Sequence, residues 1–357
     1  MSHSKEKKKI AVGLSGGVDS AVAAHLLQEQ GHDVTAFYLQ CWDFDRPGCG
    51  GDSARNDAIH VATELGLKFQ HLEFIEEYEE KIIQYFYSEY KAGRTPNPDI
   101  LCNSMIKFGI FLEWALKEGF DFVATGHYAR LEENPKAKCI NLLSGKDKTK
   151  DQSYFLYRLN QNQLQKIMFP LGTYLKEDVR ATAKKLGLRI HNKPDSVGIC
   201  FIGEVDIREF LQERIDAKQG QVTDTSGNVI GTHEGAWFYT IGQRHGFNIT
   251  KYQGVPLYVV AKDVEKNLLV VGPKEEVTRS RFLVEDLHWI CEEPEIPFKA
   301  AVRIRNLGDF HAAEISAGTD SGKLQVTTEE ELFGLAPGQS AVFYDGEKVL
   351  GGGIISG

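Results

Sequence analysis

The sequence lacks any apolar run long enough to cross a bilayer, and its net charge of −9 gives it no excess of positive charge. The first absence argues against a membrane-spanning protein. The second argues against a protein that coats nucleic acid indiscriminately, although local basic patches remain compatible with it. The basic start leads into an apolar run that Ser15, two glycines and Asp19 interrupt, which excludes the apolar core of a signal peptide. We therefore expect a cytoplasmic protein whose six cysteines are thiols, catalytic groups or metal ligands rather than structural disulfides.

The stretch 10–20, IAVGLSGGVDS, also lacks the signatures of two common phosphate loops. It has no Gly-Lys followed by Ser or Thr, as a Walker A loop requires, and no third glycine of a dinucleotide fingerprint. What it has is a predicted buried strand at Lys9–Leu14, a Ser-Gly-Gly turn, and a predicted helix at Asp19–Gln30. Such a turn directs backbone N–H groups and the positive end of a helix at one place, where phosphate oxygens are stabilised.

Residues 1–205 alternate short apolar strands with amphipathic helices, which predicts a parallel sheet covered on both faces. Further strands are predicted at Val34–Leu39, Lys68–Phe74 and Phe122–Thr125, and further helices at Ser53–Leu65, Ile75–Tyr90 and Ser104–Glu118. Ligands of such sheets bind beyond the carboxyl ends of the strands. At that edge we expect Leu39 to flank an adenine and Gly126 to allow a nucleotide to approach closely.

Beyond residue 205 the pattern changes to glycine-punctuated strands. After a short helix at Ile207–Ile215, residues 206–276 are predicted to form a small β-rich domain with strand patterns in Gly231–Gln243 and Val255–Asp263. Residues 277–357 are predicted to form an antiparallel barrel or sandwich. A chain of 357 residues accommodates three such domains.

Two cysteine-bearing stretches carry further chemistry. Prolines stiffen TPNPDILCN at 95–103, and Cys102 is expected just before a helix that Asn103 or Ser104 caps. A thiol there has a lowered pKa, and Asp99 lies one turn away for proton exchange. The second stretch, GICFIGE at 198–204, sets Cys200 between apolar neighbours, where a core role and a reactive role are both open.

Several segments in one order resemble the bacterial-type tRNA-specific 2-thiouridylases of the PP-loop ATP pyrophosphatase superfamily, over nearly the full length. They are SGGVDS at 15–20, TPNPDILCN at 95–103, ATGHYAR at 124–130, KDQSYFL at 150–156, GICFIGE at 198–204 and GQRHG at 242–246. The resemblance implies an ATP site made of Gly13, Leu14, Ser15, Gly16, Gly17, Val18, Asp19, Ser20, Leu39 and Gly126. It implies contact of Asn97, Pro98 and Asp99 with the target base, and of Lys150, Asp151, Gln152, Arg303, Ile304 and Arg305 with tRNA. In the last run Ile304 replaces the family's tyrosine, so stacking there is in doubt while the arginines remain available to phosphate.

The resemblance further implies that ATP, with Mg²⁺, adenylates the C2 oxygen of a wobble uridine, releasing pyrophosphate. Cys200 would carry a persulfide from a sulfur-donor protein, and Cys102 would act as nucleophile, leaving a Cys102–Cys200 disulfide for a reductant. An iron–sulfur cluster on the two cysteines and Asp99 is an alternative that sequence does not separate from a persulfide pair.

Other interpretations concern the remaining residues and the whole activity. Cys41 and Cys49 flank a Gly-rich stretch interpreted as a solvent loop, Cys139 and Cys291 lie in β-like apolar contexts, and His127 is expected to be structural. Two dense lysine and arginine stretches, 136–150 and 176–193, are most simply solvated faces. The rival activities are an amine-accepting PP-loop synthetase, which has no use for a cysteine pair, and a non-catalytic, redox-responsive RNA-binding module.

Overall fold

A computed structural model of the chain describes residues 6–43, 51–195, 198–203, 205–251 and 254–356. Its N-terminal sheet contains β1 (Lys9–Gly13), β2 (Asp33–Gln40), β3 (Lys68–Glu73), β4 (Phe122–Ala124) and β7 (Ile167–Met168). The strand order is β3-β2-β1-β4-β7, and all neighbours run parallel. The predicted parallel sheet is confirmed, with β7 as an addition that the apolar pattern did not reveal.

Helices connect these strands and continue beyond them. They are α1 (Val18–Glu29), α2 (Gly51–Glu64), α3 (Ile75–Tyr78), α4 (Gln84–Lys91), α5 (Pro98–Leu101), α6 (Phe111–Lys117), α7 (Gln161–Leu164), α8 (Lys176–Lys185) and α9 (Ile207–Gln212). A π-helical segment, Glu79–Ile83, joins α3 to α4, and another, Cys102–Ile110, joins α5 to α6. Single 3₁₀ turns are formed by Ser153–Leu156, Arg189–Asn192, Ala236–Phe238 and Lys274–Val277.

Both faces of the parallel sheet are covered, as the alternation predicted. Ala36 and Tyr38 of β2 are buried in one core together with residues of α1 and α2. Phe37 and Leu39, which point to the opposite face, are buried in a second core. There Phe37 packs against Phe111 of α6, with ring centroids 5.7 Å apart.

The helix predicted to begin at Ser104 begins instead at Pro98. Asn97 has extended backbone angles and precedes Pro98, which takes the first helical position, where its missing N–H costs no hydrogen bond. The predicted caps Asn103 and Ser104 are therefore wrong, and Cys102 lies inside the helical stretch.

The central region forms its own five-stranded sheet. Its strands are β8 (Gly220–Thr223), β9 (Val229–His233), β10 (Asn248–Ile249), β11 (Tyr258–Asp263) and β12 (Leu268–Gly272), in the order β10-β9-β8-β12-β11. β8 and β12 are parallel, and the other neighbours are antiparallel. This agrees with the predicted small β-rich unit.

The C-terminal strands close into an antiparallel barrel, as predicted. They are β13 (Thr278–Trp289), β14 (Phe298–Arg303), β15 (His311–Ala317), β16 (Leu324–Phe333), β17 (Ser340–Asp345) and β18 (Lys348–Ile355). Pairing of β13 with β18 closes the order β13-β16-β15-β14-β17-β18. The hairpin of β5 (Ala129–Asn134) and β6 (Cys139–Ser144) extends the same sheet, because β6 pairs with β18.

Cys139 and Cys291 form a disulfide, which corrects the expectation that all cysteines are thiols. Their Cα atoms are 6.0 Å apart, a separation that suits a disulfide, although 152 positions separate them in the chain. The bond links the start of β6 to the segment that follows β13. Proximity of this kind arises from the β6–β18 pairing and could not be read from local sequence.

None of the helices within the described residues combines the length and apolar character that crossing a membrane requires.

Candidate active site

The loop after β1 is held by its own side chains. Ser20 Oγ accepts a hydrogen bond from the Ser15 N–H at 3.1 Å and donates one to the Gly17 carbonyl at 3.1 Å. Gly16 has a φ of +73°, and a Cβ there would lie 2.3 Å from the Ala54 carbonyl oxygen, so only glycine fits. α1 begins directly afterwards at Val18. The N–H groups of its first turn, which have no partner within the helix, therefore open on this loop, as an anion site requires.

Gly126 lies beside the same loop. A Cβ at Gly126 would approach the backbone of Asp19 and Ser20 to 2.7 Å. We predicted from the sequence that Gly126 allows a nucleotide to approach closely. In the structure, the absence of a side chain at Gly126 also lets the chain after β4 pack against the first turn of α1. Leu39, the other predicted nucleotide neighbour, is buried near the end of β2.

Four cations and three carboxylates surround the loop. Lys176 Nζ lies 2.7 Å from both carboxylate oxygens of Asp19, which also accepts the Tyr128 hydroxyl at 2.8 Å. Asp195 accepts from Lys150, Lys176 and Arg180 at 2.7, 2.8 and 2.7 Å. Partial burial raises the pKa of Asp195, but hydrogen bonds from Lys150 and Lys176 lower it to about 2. Lys193 Nζ contacts Asp57 at 2.7 Å and the Gly16 carbonyl oxygen at 3.1 Å.

Sequence reasoning missed this cluster. Lys176, Arg180 and Lys193 belong to the basic stretch interpreted as a solvated face, yet they point at the phosphate-loop residues and at Asp195. Nothing in the local pattern distinguishes them from the other lysines of that stretch, because their partners lie far along the chain.

The two cysteines predicted to react are in contact. The Sγ atoms of Cys102 and Cys200 lie 3.3 Å apart, with Cys102 as hydrogen-bond donor, and both are free cysteines. Cys102 is fully buried, and burial raises its thiol pKa well above the usual range, which corrects the predicted lowering. Cys200 has the lowered pKa instead, because the Cys102 thiol donates to it and, more weakly, because the charge of Lys107 favours its anion. Of the two thiols, Cys200 therefore loses its proton more readily than Cys102.

Cys200 is fixed in a tight turn by two residues from other elements. Ile199 and Gly203 form a bridge around it, and Phe201 takes a φ of +67°. Its N–H donates to Asp99 Oδ1 at 2.9 Å, and its carbonyl oxygen accepts the Tyr78 hydroxyl at 2.6 Å. Asp99, predicted to exchange protons with Cys102, therefore fixes the turn that contains Cys200. Burial raises the pKa of Asp99.

Three family models match successive parts of this chain. A model described as tRNA methyl transferase HUP domain matches residues 8–204, one described as tRNA methyl transferase PRC-barrel domain matches residues 208–273, and one described as Aminomethyltransferase beta-barrel domain matches residues 279–355. The tRNA-specific 2-thiouridylase MnmA of Verminephrobacter eiseniae is 44% identical over 98% of this chain and 99% of its own length. Those of Geobacillus thermodenitrificans and Akkermansia muciniphila are each 43% identical, over 99% and 97% of this chain and 96% and 98% of their own.

The chain belongs to the tRNA-specific 2-thiouridylase family. This agrees with the resemblance drawn from the motifs. Three of the six segments that carry that resemblance form the phosphate loop and bring Cys102 into contact with Cys200.

The arrangement of the thiouridylase cysteines does not fit an iron–sulfur cluster. Two sulfur atoms in hydrogen-bond contact leave no space between them for a cluster that both would bind. Within the described part of the chain, moreover, no group of three or more His, Cys, Asp or Glu side chains is placed to hold a metal ion.

Cys41 is not in a solvent loop. It is 1% exposed, directly follows β2, and lies in the same core as Cys102. Burial raises its pKa well above the usual range, so it is a neutral thiol. Cys49 lies outside the described residues.

The loop expected to meet the target base is held by both C-terminal units. The Thr95 N–H donates to the Pro337 carbonyl oxygen at 2.8 Å, and Gln339 donates to the Thr95 carbonyl oxygen at 2.9 Å. The hydroxyls of Thr95 and Thr240 are 3.0 Å apart. Asn97 and Pro98 follow shortly after Thr95, so contacts from the central and C-terminal regions fix the position of both residues.

The residues expected to contact tRNA fall into two groups. Asp151 and Arg303 are 1% and 5% exposed and form an ion pair at 2.9 Å, so neither offers its charge to a phosphate in this structure, and their contact with tRNA stays a prediction. Ile304 is buried as well. Lys150, Gln152 and Arg305 retain accessible surface, although Gln152 also accepts from the Tyr128 N–H and Arg305 donates to the Phe333 carbonyl oxygen.

Proposed function

We propose that this protein transfers sulfur to C2 of the wobble uridine of tRNA, using ATP and producing 2-thiouridine, AMP and pyrophosphate. The observation that carries the proposal is the contact between Cys102 and Cys200, in a chain 44% identical over almost its full length to a tRNA-specific 2-thiouridylase. Cys102 is buried in the core that contains Phe37 and Leu39 of β2, and the phosphate loop follows β1 of the same parallel sheet.

The ATP step uses the loop of residues 13–20 and the cations around it. First-turn N–H groups of α1 and the ammonium and guanidinium groups of Lys176, Arg180 and Lys193 suit the β- and γ-phosphates. The uridine C2 oxygen attacks the α-phosphorus, pyrophosphate leaves, and C2 then carries AMP as a leaving group. Mg²⁺ accompanies the ATP phosphates.

The sulfur step uses the two cysteines in turn. The terminal sulfur of a Cys200 persulfide bonds to C2, and AMP departs with the electron pair of the C2–O bond. Cys102 then attacks Cys200 Sγ, the sulfur–sulfur bond to the base breaks, and the base keeps the transferred sulfur. The two thiols are oxidised to a Cys102–Cys200 disulfide, which a thiol reductant reopens; at 3.3 Å the sulfurs need little movement to bond.

We also propose binding partners, a cellular location and a role for each of the three parts of the chain. tRNA is the substrate, a protein that relays persulfide sulfur supplies Cys200, and we propose a cytoplasmic location because both partners are there. Asn97, Pro98 and Asp99 contact the target base, and Lys150, Gln152 and Arg305 contact the tRNA backbone. We assign catalysis to residues 1–205, with residues 206–276 and 277–357 as the central and tRNA-binding units.

The rival activities are less well supported. An amine-accepting PP-loop synthetase has no use for two free cysteines in contact. A non-catalytic RNA-binding module would require neither the phosphate loop, held by its own hydrogen bonds, nor the lysine and arginine side chains that surround that loop.

The test incubates the protein with ATP, an unmodified tRNA transcript and polysulfide as sulfur source. We expect AMP and pyrophosphate in amounts equal to the 2-thiouridine formed, and mass spectrometry of the nucleosides should show replacement of oxygen by sulfur. Cys102→Ser should still gain sulfur at Cys200 but not turn over, whereas Cys200→Ser should gain none there. Release of ADP and phosphate, or a mass gain equal to a methyl group, would refute the proposal.

A further inference from the structure

Lys107 lies beside the turn that holds Cys200, the residue proposed to carry the persulfide. Its Nζ is 5.6 Å from the centre of the ring of Phe201, the neighbour of Cys200 in the chain. Lys107 also belongs to the same π-helical segment as Cys102, whose Sγ lies 3.3 Å from Cys200 Sγ. Residues five apart lie far round an α-helix from each other, but π-helical hydrogen bonds join i and i+5 and bring them to one face. The π-helical geometry of Cys102–Ile110 therefore directs both Cys102 and Lys107 at Cys200.

Among the residues that the structure describes around Cys200, the other groups supply no comparable positive charge. Asp99 and Tyr78 bind its backbone, Cys102 donates its thiol proton, and Cys41 is a neutral thiol nearby. His127 is buried, and burial together with the charge of Lys107 lowers its pKa well below the usual range, so its imidazole is neutral. Burial alone would lower the pKa of Lys107, but the Cys200 and Cys102 sulfurs and Asp99 raise it, so the amine stays protonated.

We propose that Lys107 is a catalytic residue of sulfur transfer: its ammonium group holds Cys200 Sγ as an anion while this sulfur attacks a persulfide donor, and then pairs with the terminal sulfur of the persulfide formed. The inference rests on the proposed role of Cys200 as sulfur carrier. It assigns a function to a partly buried lysine, whose charge would be costly there without a negative partner.

The step balances as follows. Cys200 thiolate bonds to the sulfane sulfur of the donor persulfide, the donor's sulfur–sulfur bond breaks, and the electron pair leaves with the donor thiolate, which takes a proton from solvent. Cys200 then carries a persulfide anion. A persulfide is a stronger acid than a thiol, so it too remains anionic beside Lys107, ready to attack an adenylated carbonyl carbon.

The experiment measures alkylation of Cys200 by iodoacetamide against pH, on the reduced full-length protein without tRNA, with peptide mass spectrometry to separate Cys200 from the other cysteines. In the wild type the rate of Cys200 alkylation should rise with pH. The pH at the midpoint of that rise should lie below the pKa of an ordinary thiol. In Lys107→Met the midpoint should move up by about one pH unit or more, which makes alkylation about tenfold slower at neutral pH. Persulfide formation from polysulfide, followed by intact mass, should slow in parallel.

Two variants provide controls. Lys107→Arg keeps a cation and should restore most of the wild-type profile, while Lys117→Met removes an exposed lysine from the same helical stretch and should leave it unchanged. A folded Lys107→Met protein, shown by retained ATP binding, with a wild-type profile would overturn the inference. Should that variant not fold, a wild-type midpoint at or above the ordinary thiol value would overturn it as well. A wild type that makes no thiolated tRNA refutes the proposed function whatever its alkylation profile.

Discussion

Two arginines separated by a single residue have opposite environments. Arg303 is buried, pairs with Asp151 at 2.9 Å, and lies with its guanidinium 3.9 Å from the centre of the Phe310 ring. Arg305 is exposed and donates to a single backbone carbonyl. Because strand residues alternate between the two faces of a sheet, i and i+2 would share a face; the strand ends at Arg303, and the chain turns before Arg305.

Substituting each arginine by methionine should separate stability from binding. Arg303→Met leaves the buried Asp151 carboxylate unpaired and should lower the free energy of unfolding by about 3–5 kcal/mol. Arg305→Met should change it by no more than about 0.5 kcal/mol. If Arg305 contacts a tRNA phosphate, its loss should reduce the slope of log affinity against log salt by about 0.7–0.9. Urea unfolding and filter binding measure the two effects, and equal destabilisation by both variants would contradict this assignment.

The element formed by β1, the phosphate loop and α1 packs so closely against the chain after β4 that no side chain fits between them. Its close point is Gly126, beside the backbone of Asp19 and Ser20. Any side chain there must displace the first turn of α1, whose N–H groups form the proposed phosphate site.

Gly126→Ala should therefore weaken ATP binding. We expect the Kd for ATP, measured by calorimetry, to rise about tenfold or more. A tenfold rise corresponds to a loss of ~1.4 kcal/mol of binding free energy. Gly220→Ala is the matched control, because its Cβ would meet the Asn267 carbonyl oxygen at 2.2 Å in the central sheet, away from the loop. It should disturb folding of that sheet and leave ATP affinity near the wild-type value. Equal losses of ATP affinity in both variants would show that a general loss of packing, not the loop, is responsible.

At the scale of the whole molecule, the parallel-sheet region and the barrel are joined covalently and by hydrogen bonds. The β5–β6 hairpin pairs with β18, and the Cys139–Cys291 disulfide lies at the start of that hairpin. The loop at Thr95, which we propose contacts the target base, is held by Pro337 and Gln339 of the C-terminal part.

Reducing Cys139–Cys291 should destabilise the protein. The bond closes a loop of 152 residues, for which the chain-entropy model gives about 4–5 kcal/mol. The midpoint of urea unfolding should fall when a thiol reductant is added to the wild type. The double variant Cys139→Ser and Cys291→Ser should start at the lower midpoint and not respond, although its Cys102–Cys200 pair is intact. A wild-type midpoint unchanged by reductant would argue against the bond's contribution.

Sequence reasoning predicted the features that local patterns encode. The apolar runs gave the four strands from β1 to β4, and the Ser-Gly-Gly turn gave the loop before α1. It failed at one local signal: the expected cap at Asn103 or Ser104 overlooks the helix start at Pro98, and this error led to a wrong pKa direction for Cys102.

Long-range partners explain what else the local patterns did not predict. The cations around Asp19 and Asp195, the buried pair of Asp151 and Arg303, and the disulfide all join segments remote in sequence. Sequence reasoning did not select Lys107, because residues five apart do not share a face of an α-helix. The local sequence also has no pattern that predicts a π-helix at this place. Such local irregularities concentrate at reactive sites.

The pairing of β6 with β18 has a consequence for how the protein is made. A ribosome releases β6 long before it finishes the last strand of the barrel, so one edge of the hairpin waits without its partner. An unpaired strand edge is a template for pairing with another chain. A ribosome that stalls before Lys348 leaves that edge open on every nascent copy, whereas one that finishes translation supplies the strand that covers it.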